Sequence, residues 1–337
     1  MSLLKKQFAL GALSLHSNIF YAPLAGCSDY PYRKIARKKA NPGLLFCEMV
    51  KIDALVRNDP HTFRLLDYDT TMHPIGAQLC GSNQKLAAEA ARRIEELGFD
   101  SLDYNCGCPV DKVTKDGSGS GMLKDPEKIG DVLSAMVGAV KIPVTVKIRA
   151  GWDDDSIVAA EVTQIAEAAG AKAITVHGRT REQGYTGPAR WGFIRAAKEA
   201  ARDILVIGNG DVFDGPSAER MMLETGCDGV LVARGTMGQP WIAEEIEEYL
   251  ETGSFQAKSV DEIREALLEH YELILRYQAE KQALLDMRRV GCWYLKRCDG
   301  VKTLRMEINR AETTAEVLAK IGAFSWQEVS TLSFKEA

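Results

Sequence analysis

The chain has 337 residues, 46% of them hydrophobic and 26% charged, which suits one large α/β core with an appended module and needs no disulfide staples. A net charge of −5 excludes a protein that is basic as a whole, so any nucleic-acid contact must come from a local patch. No run approaches the ~20 apolar residues of a membrane span.

The N-terminal MSLLKKQFALGALSL is broken by Gly11 and lacks both the long apolar stretch and the cleavage signal of a secretory leader. The eight cysteines (Cys27, Cys47, Cys80, Cys106, Cys108, Cys227, Cys292 and Cys298) form no regular framework and contain no CxxC, which points to a reducing compartment. A cytoplasmic monomer with no membrane partner is expected.

In chain order, short apolar runs predict strands at Ile19–Leu24, Leu44–Glu48, Ile75–Leu79, Ser101–Asn105, Val144–Arg149, Ala173–His177, Leu205–Asn209 and Gly229–Arg234. Helical patterns fall between them at Asn83–Leu97, Pro126–Val140, Ile157–Ala169, Trp191–Ala201 and Gly215–Glu224. Eight such units imply a parallel sheet with right-handed crossovers, and its simplest closed form is a (β/α)8 TIM barrel, with a doubly wound sheet as the alternative. The barrel would occupy residues 1–250.

Beyond Gly253 the pattern turns helical, and residues 251–337 read as a separate helical domain. Helices are expected over about 259–285, 286–297 and 311–322, with Ile263, Leu267, Tyr271 and Ile274 on one stripe. Between Arg276 and Arg310 nine basic residues face four acidic ones, a local balance of +5 that includes Arg288, Arg289, Lys296 and Arg297. Such a run is either a solvated face or an RNA surface.

Pro23, Glu48, Gln78, Asn105, Lys147, Arg149, His177, Asn209 and Arg234 stand at the strand ends, all but the first of them polar, so one rim of the barrel reads as an active site. Cys108 lies on a rim loop followed by Pro109 and the Gly117–Gly121 stretch. A thiol there can donate a proton or attack as a nucleophile, whereas Cys27, Cys47, Cys80 and Cys227 read as small buried hydrophobes. The Cys106/Cys108 pair has no matching partners for zinc, and no metal is expected.

Lys147 and Arg149 alternate on one strand and share a face, which calls for an anion, either a phosphate or an electron-rich ring. The Gly208–Asp211 loop after strand seven and the Ala233–Gly235 loop after strand eight occupy the usual phosphate site of this fold, where glycine lets backbone N–H groups approach and Arg234 adds charge. His177 is flanked by Arg179 and Arg181 on the sixth strand's loop. These residues alone also fit an FMN barrel that reduces a small pyrimidine or enone, or an aldolase with a Lys147 Schiff base.

The full set resembles the tRNA-dihydrouridine synthase family. The matching stretches are Ala22-Pro-Leu-Ala-Gly26, Ile75-Gly-Ala-Gln-Leu79, Asn105-x-Gly-Cys-Pro-x-x-Lys-Val113, Val146-Lys-Ile-Arg149, His177-Gly-Arg-Thr-Arg181, Gly208-Asn-Gly-Asp211, and Ala233-Arg-Gly235 with Gly238-Gln-Pro-Trp-Ile242. They stand in the family's order over about residues 20–245, and the Asn-x-Gly-Cys-Pro and His-x-Arg-Thr-Arg motifs are the specific ones.

The resemblance implies an FMN enzyme, recharged by NADPH, that reduces uridine in tRNA to 5,6-dihydrouridine, with hydride from flavin N5 to C6 of uracil and a proton from Cys108 to C5. It implies flavin contacts from Pro23, Leu24, Ala25, Gln78, Lys147 and His177. Asn209, Gly210, Asp211, Ala233 and Arg234 would lie around the ribityl phosphate. Asn105, Arg149, Arg179 and Arg181 would lie at the substrate, and the basic C-terminal stretch would grip the RNA backbone.

Overall fold

The fold was read from a computed structural model that describes residues 3–327 and 329–331. A hairpin of β1 (Phe8–Leu10) and β2 (Leu13–Leu15), absent from the sequence-based expectations, precedes the barrel. Eight parallel strands follow: β3 (Ile19–Tyr21), β4 (Leu44–Lys51), β5 (Ile75–Cys80), β6 (Ser101–Cys106), β7 (Val144–Arg149), β8 (Ala173–His177), β9 (Leu205–Asn209) and β10 (Gly229–Val232). They pair in sequence order, and β10 closes the ring on β3 through Val230↔Ile19 and Val232↔Tyr21. The closed barrel replaces the doubly wound alternative.

All eight expected strands are present, and those at Val144, Ala173 and Leu205 have the expected bounds. The first ends at Tyr21 rather than Leu24 because Pro23 has no N–H to give a ladder. The last ends at Val232 because Arg234 already begins a tight turn.

Alternation decides what faces where. Ile19, Tyr21, Leu45, Cys47, Leu102, Tyr104 and Cys106 belong to the layer between strands and helices. Phe20, Leu44, Phe46, Ala173, Ile207 and Leu231 form a second cluster with Phe8, Leu10 and Leu15 of the hairpin. The hairpin therefore packs against the inward-facing residues and leaves the opposite rim to polar side chains.

The surrounding helices are α1 (Tyr30–Ala40), α2 (Ile52–Val56), α3 (Pro60–Leu65), α4 (Gln84–Glu96), α5 (Asp111–Thr114), α6 (Pro126–Val137), α7 (Ala159–Ala168), α8 (Gly192–Ala200), α9 (Gly215–Thr225) and α10 (Ile242–Thr252). In α4, Ala87, Ala90, Ala91 and Ile94 form the buried stripe at helical spacing.

The C-terminal helices are α11 (Val260–Tyr277), α12 (Glu280–Leu295), α13 (Lys302–Arg310) and α14 (Thr314–Ala323). Ser259 starts α11 with a capping box, its hydroxyl accepting from the Glu262 backbone N–H and the Glu262 carboxylate accepting from its own. The expected helix over 259–285 is broken at Gln278, whose extended backbone ends α11. The helix expected from 286 starts six residues earlier, and α13 was not expected.

These helices bury their own cluster, with Ile263, Leu267, Tyr271, Met287, Tyr294, Leu304 and Ile308 around Trp241 from the barrel's last loop. They dock on the barrel through the stacked rings of Tyr30 and Tyr277, 4.6 Å apart, and the Lys39–Glu269 ion pair at 2.8 Å. Residues 328 and 332–337 of the expected C-terminal domain lie outside the described residues. No described helix is long and apolar enough to cross a membrane.

Candidate active site

The inward positions at the C-terminal ends of the strands enclose a cavity of about 380 Å³. Every residue expected at the cofactor lines it: Pro23, Leu24, Ala25, Gln78, Lys147, His177, Asn209, Gly210, Asp211, Ala233 and Arg234. Cys108, Asn105 and Arg149 line it too. Arg179 and Arg181 do not.

Cys108 is half-buried, and its loop is held by backbone groups. Its N–H donates to Asn105 Oδ1 at 2.9 Å, and its carbonyl accepts from Ser120 N at 3.0 Å and Ser120 Oγ at 2.9 Å. Arg149 is 3% exposed and fastens the neighbouring loops, with Nε donating to Gly107 O at 3.0 Å and Nη1 to Thr180 O and Gly184 O at 2.8 and 2.9 Å. Cys106, two residues from Cys108, points outward into the helix layer and is fully buried.

Burial first, and then the Arg149 charge, pushes the Lys147 ammonium down to about 8 from a lysine's ordinary 10.5. Between pH about 8 and 10.5 the unfolded chain holds a proton that the folded one has lost, so this group makes the fold more stable as pH rises through that window. Lys147→Met should therefore raise the melting temperature of the ligand-free protein at pH 7 and flatten its rise toward pH 10.5. A variant that melts no higher than wild type at pH 7 would show that the buried cation costs the fold nothing.

His177 is 8% exposed, and its ring has no side-chain hydrogen-bond partner among the described residues, only the Asn209 backbone beside it. Burial, then Lys147, Arg149 and Arg179, holds its pKa well below the ordinary histidine range, so the ring is neutral. Gly210 has φ +120, and a Cβ there would come within 2.8 Å of Ala189 Cβ and 3.0 Å of His177 Nδ1.

Asp211 gathers the cations at this end. Its carboxylate accepts from Arg179 Nη2 and the Ala189 N–H at 2.7 Å each and from Arg234 Nη2 at 2.9 Å. The guanidiniums outweigh its charge, which keeps this end receptive to an anion. Arg234 also lies 5.3 Å from the Tyr185 ring and 5.5 Å from that of Phe213. A neutral imidazole without side-chain partners, a glycine cradle on the strand-seven loop, an amide and an ammonium on the cavity wall, and the cations Arg179 and Arg234 of the strand-six and strand-eight loops fit the ring and the phosphate of FMN. The volume is that of an ordinary cofactor pocket.

The remaining cations are spread over several neighbours. Arg181 donates to Asp111 Oδ1 at 2.5 Å and lies 4.5 Å from the Trp152 ring. In the C-terminal helices, Arg288 Nε donates to Ala311 O at 3.2 Å, past the end of α13. Arg289 pairs with Asp286 at 2.8 Å and turns toward Gly26 of the barrel. Arg297 is half-buried, its pKa lowered by burial, beside Glu245 and Asp214 of the barrel. Lys296 is exposed and makes no ion pair among the described residues.

The cavity also holds residues that sequence reasoning left unassigned. Cys27, read as a buried hydrophobe, lines it, and burial raises its thiol to about 11. Tyr185 is 62% exposed on the lip. Asp103 lies beneath the cavity, and the period-two rule could have flagged it, since it shares a strand face with Asn105.

Residues 20–328 match the family model described as "Dihydrouridine synthase (Dus)". The chain is 38% identical over 317 residues to the "tRNA-dihydrouridine synthase B" of Pseudomonas aeruginosa, covering 94% of this chain and 95% of that protein. It is 37% identical over 314 residues to the "Probable tRNA-dihydrouridine synthase 1" of Synechocystis sp., covering 92% and 87%. It is 37% identical over 331 residues to the "Probable tRNA-dihydrouridine synthase" of Rickettsia conorii, covering 97% and 99%. Among solved structures, histamine dehydrogenase from Rhizobium sp. 4-9 superposes with a TM-score of 0.56 at 14% identity, over 80% of this chain and half the length of that one, a likeness of fold alone.

Proposed function

The chain belongs to the dihydrouridine synthase family, and on that premise we propose that it is an FMN-dependent, NADPH-driven enzyme that reduces uridines of tRNA to 5,6-dihydrouridine. The observation that carries this reading is one cavity lined by the Cys108 thiol together with Gln78, Lys147, His177, Asn209 and Arg234.

FMN, when bound, supplies the hydride to C6 of the uracil ring. The chain does the rest. Pro23, Leu24 and Ala25 offer backbone to the cofactor, Gln78 and Lys147 take its polar ring edge, and His177 sits beside it without adding charge. The loop atoms of Asn209, Gly210, Asp211 and Ala233, with Arg234, take its phosphate end. Cys108 protonates C5, and Lys147 stabilises the negative charge that builds over C5 and the C4 carbonyl. Asn105 faces the base, and Arg149 keeps the thiol loop in register. The uridine must leave its stack to enter.

In this reading residues 1–250 form the flavin-binding catalytic domain and residues 251–337 the tRNA-binding domain. Lys296 is one of the exposed cations there, with Lys281, Lys302 and Arg310, that make no ion pair among the described residues and so stay open to RNA phosphate. Lys296→Glu should weaken tRNA binding and lower the salt slope by about one or more. Arg288→Ala should instead lower the melting temperature, because its guanidinium is spent on the Ala311 carbonyl. Equal effects of both on the salt slope would contradict this division of labour.

The direct test is spectroscopic. Purified protein is reduced with NADPH without oxygen, and reoxidation is followed on adding unmodified tRNA transcript, free uridine or an enone. Reoxidation by tRNA alone supports the reading. Reoxidation by the small molecules alone moves the activity to a small-molecule reductase, and absence of flavin even after adding FMN sinks the mechanism.

A further inference from the structure

Gln78, Asp103 and Thr145 are register partners across three adjacent strands, all facing inward and nearly without solvent contact. The Asp103 carboxyl accepts from Thr145 Oγ1 at 2.6 Å and from Gln78 Nε2 at 2.7 Å. Gln78 Oε1 then accepts from Asn105 Nδ2 at 2.8 Å. Asn105 Oδ1 in turn accepts from the backbone N–H groups of Gly107 at 3.1 Å and Cys108 at 2.9 Å.

The chain of bonds runs one way only. Its inner end is a carboxyl oxygen that accepts, and its outer end is a pair of backbone N–H groups that can only donate. Both amides between them are therefore fixed in orientation. The oxygen of Asn105 is filled by two donors, so toward a ligand this side chain has only one N–H left, whose one hydrogen-bond partner among the described residues is Met49 Sδ, 3.6 Å from Nδ2. An amide that can only donate takes a ring carbonyl and offers nothing to an amino group in the same place.

We propose that Asp103 is a positioning residue of the reduction: through Gln78 and Asn105 it holds the Cys108 loop and sets the donor edge that the cavity shows to the carbonyl of the base. This rests on the uracil-reducing reading above. Asp103 does not itself line the cavity; it accepts from Gln78, which does, its charge lies within Coulombic reach of Lys147, and it reaches the thiol loop through the relay.

The test compares Asp103→Leu, which removes the acceptor, with Asp103→Asn, whose oxygen can still accept from Gln78 while its amide donates to the Thr145 hydroxyl. Three readouts are taken on folded protein: the rate at which iodoacetamide alkylates the Cys108 peptide in the flavin-free protein, the FMN dissociation constant, and kcat against KM for tRNA. Leucine should speed Cys108 alkylation about fivefold or more, weaken FMN severalfold, and cut kcat by about tenfold or more with KM within about threefold. Asparagine should stay within about threefold of wild type on all of them.

A folded leucine variant with wild-type alkylation and kcat overturns the proposal. So does an asparagine variant as impaired as leucine, which would make charge rather than the acceptor the operative property. Should leucine prevent folding, Asp103→Ala removes the acceptor without adding bulk and carries the same comparison. If wild type proves inactive on tRNA, the functional reading fails, while the alkylation and FMN readouts still decide the role of Asp103.

Discussion

Replacing Cys108 with alanine should lower turnover on tRNA by about a hundredfold or more while leaving the protein yellow and its tRNA affinity within about threefold of wild type. The separation is expected from the way the loop is built. Its position is set by the backbone bonds to Asn105 and Ser120, none of which uses the thiol. Removing the sulfur therefore deletes a proton donor without moving the donors around it.

The proton then has to come from water or from Cys27, a second thiol on the same cavity, which burial holds protonated. Single-turnover reoxidation of the reduced flavin reads the chemical step directly. Turnover within a few fold of wild type in Cys108→Ala would remove Cys108 as the acid, and further loss in the Cys27→Ala/Cys108→Ala pair would identify the substitute donor.

The second large effect is expected at the seam between barrel and helices. Gly238 has φ +72, and a Cβ there would lie 2.4 Å from the carbonyl carbon and oxygen of Trp293 and 2.6 Å from Tyr294 N. These are backbone atoms of α12, which cannot turn aside as a side chain could. Alanine at 238 combines left-handed backbone strain of roughly 1–2 kcal/mol with overpacking of roughly 1–3 kcal/mol. Moving the helices off the barrel relieves the overpacking, while the backbone strain stays in the loop.

The active-site cavity shares its rim with this loop through Met237 but takes none of the residues proposed for the cofactor from the helices. Gly238→Ala should accordingly raise the tRNA dissociation constant about tenfold or more and lower the melting temperature, with FMN affinity changed less than about threefold. Wild-type tRNA affinity in a properly folded Gly238→Ala protein would show that docking of the helices does not matter for RNA. Equal loss of FMN would show that the two parts do not act separately.

Much of the barrel was legible because its signal is local. Each strand is a short apolar run ended by polar residues, and alternation alone put Lys147 and Arg149 on one face and Gln78, Asn105, His177 and Asn209 on one rim. The elements that escaped are those whose apolar signal is weak. In α1 the buried face includes the long side chains of Arg33 and Arg37, whose guanidiniums bond backbone carbonyls, so a Lys/Arg-rich segment lies against the core. In α13 only Leu304 and Ile308 are buried, two residues that make no stripe. The break at Gln278 has no proline or glycine to mark it.

The sequence by itself determined the barrel, its polar rim and the place of a thiol on that rim, because strand periodicity, loop glycines and a Cys-Pro turn act over a few neighbouring residues. Tertiary structure alone decided how the charges are used. Arg179 meets Asp211, Arg297 lies beside Glu245, and Asp103 reaches Cys108 through Gln78 and Asn105. Those partners lie on different strands or helices, and barrel closure and helix docking bring them within hydrogen-bond or Coulombic reach. A cation counted in the sequence as free for RNA can thus be neutralised, buried or capping a helix once the chain has folded, because the energy of a charge depends on its partners and its solvent, and neither is a property of its position in the chain.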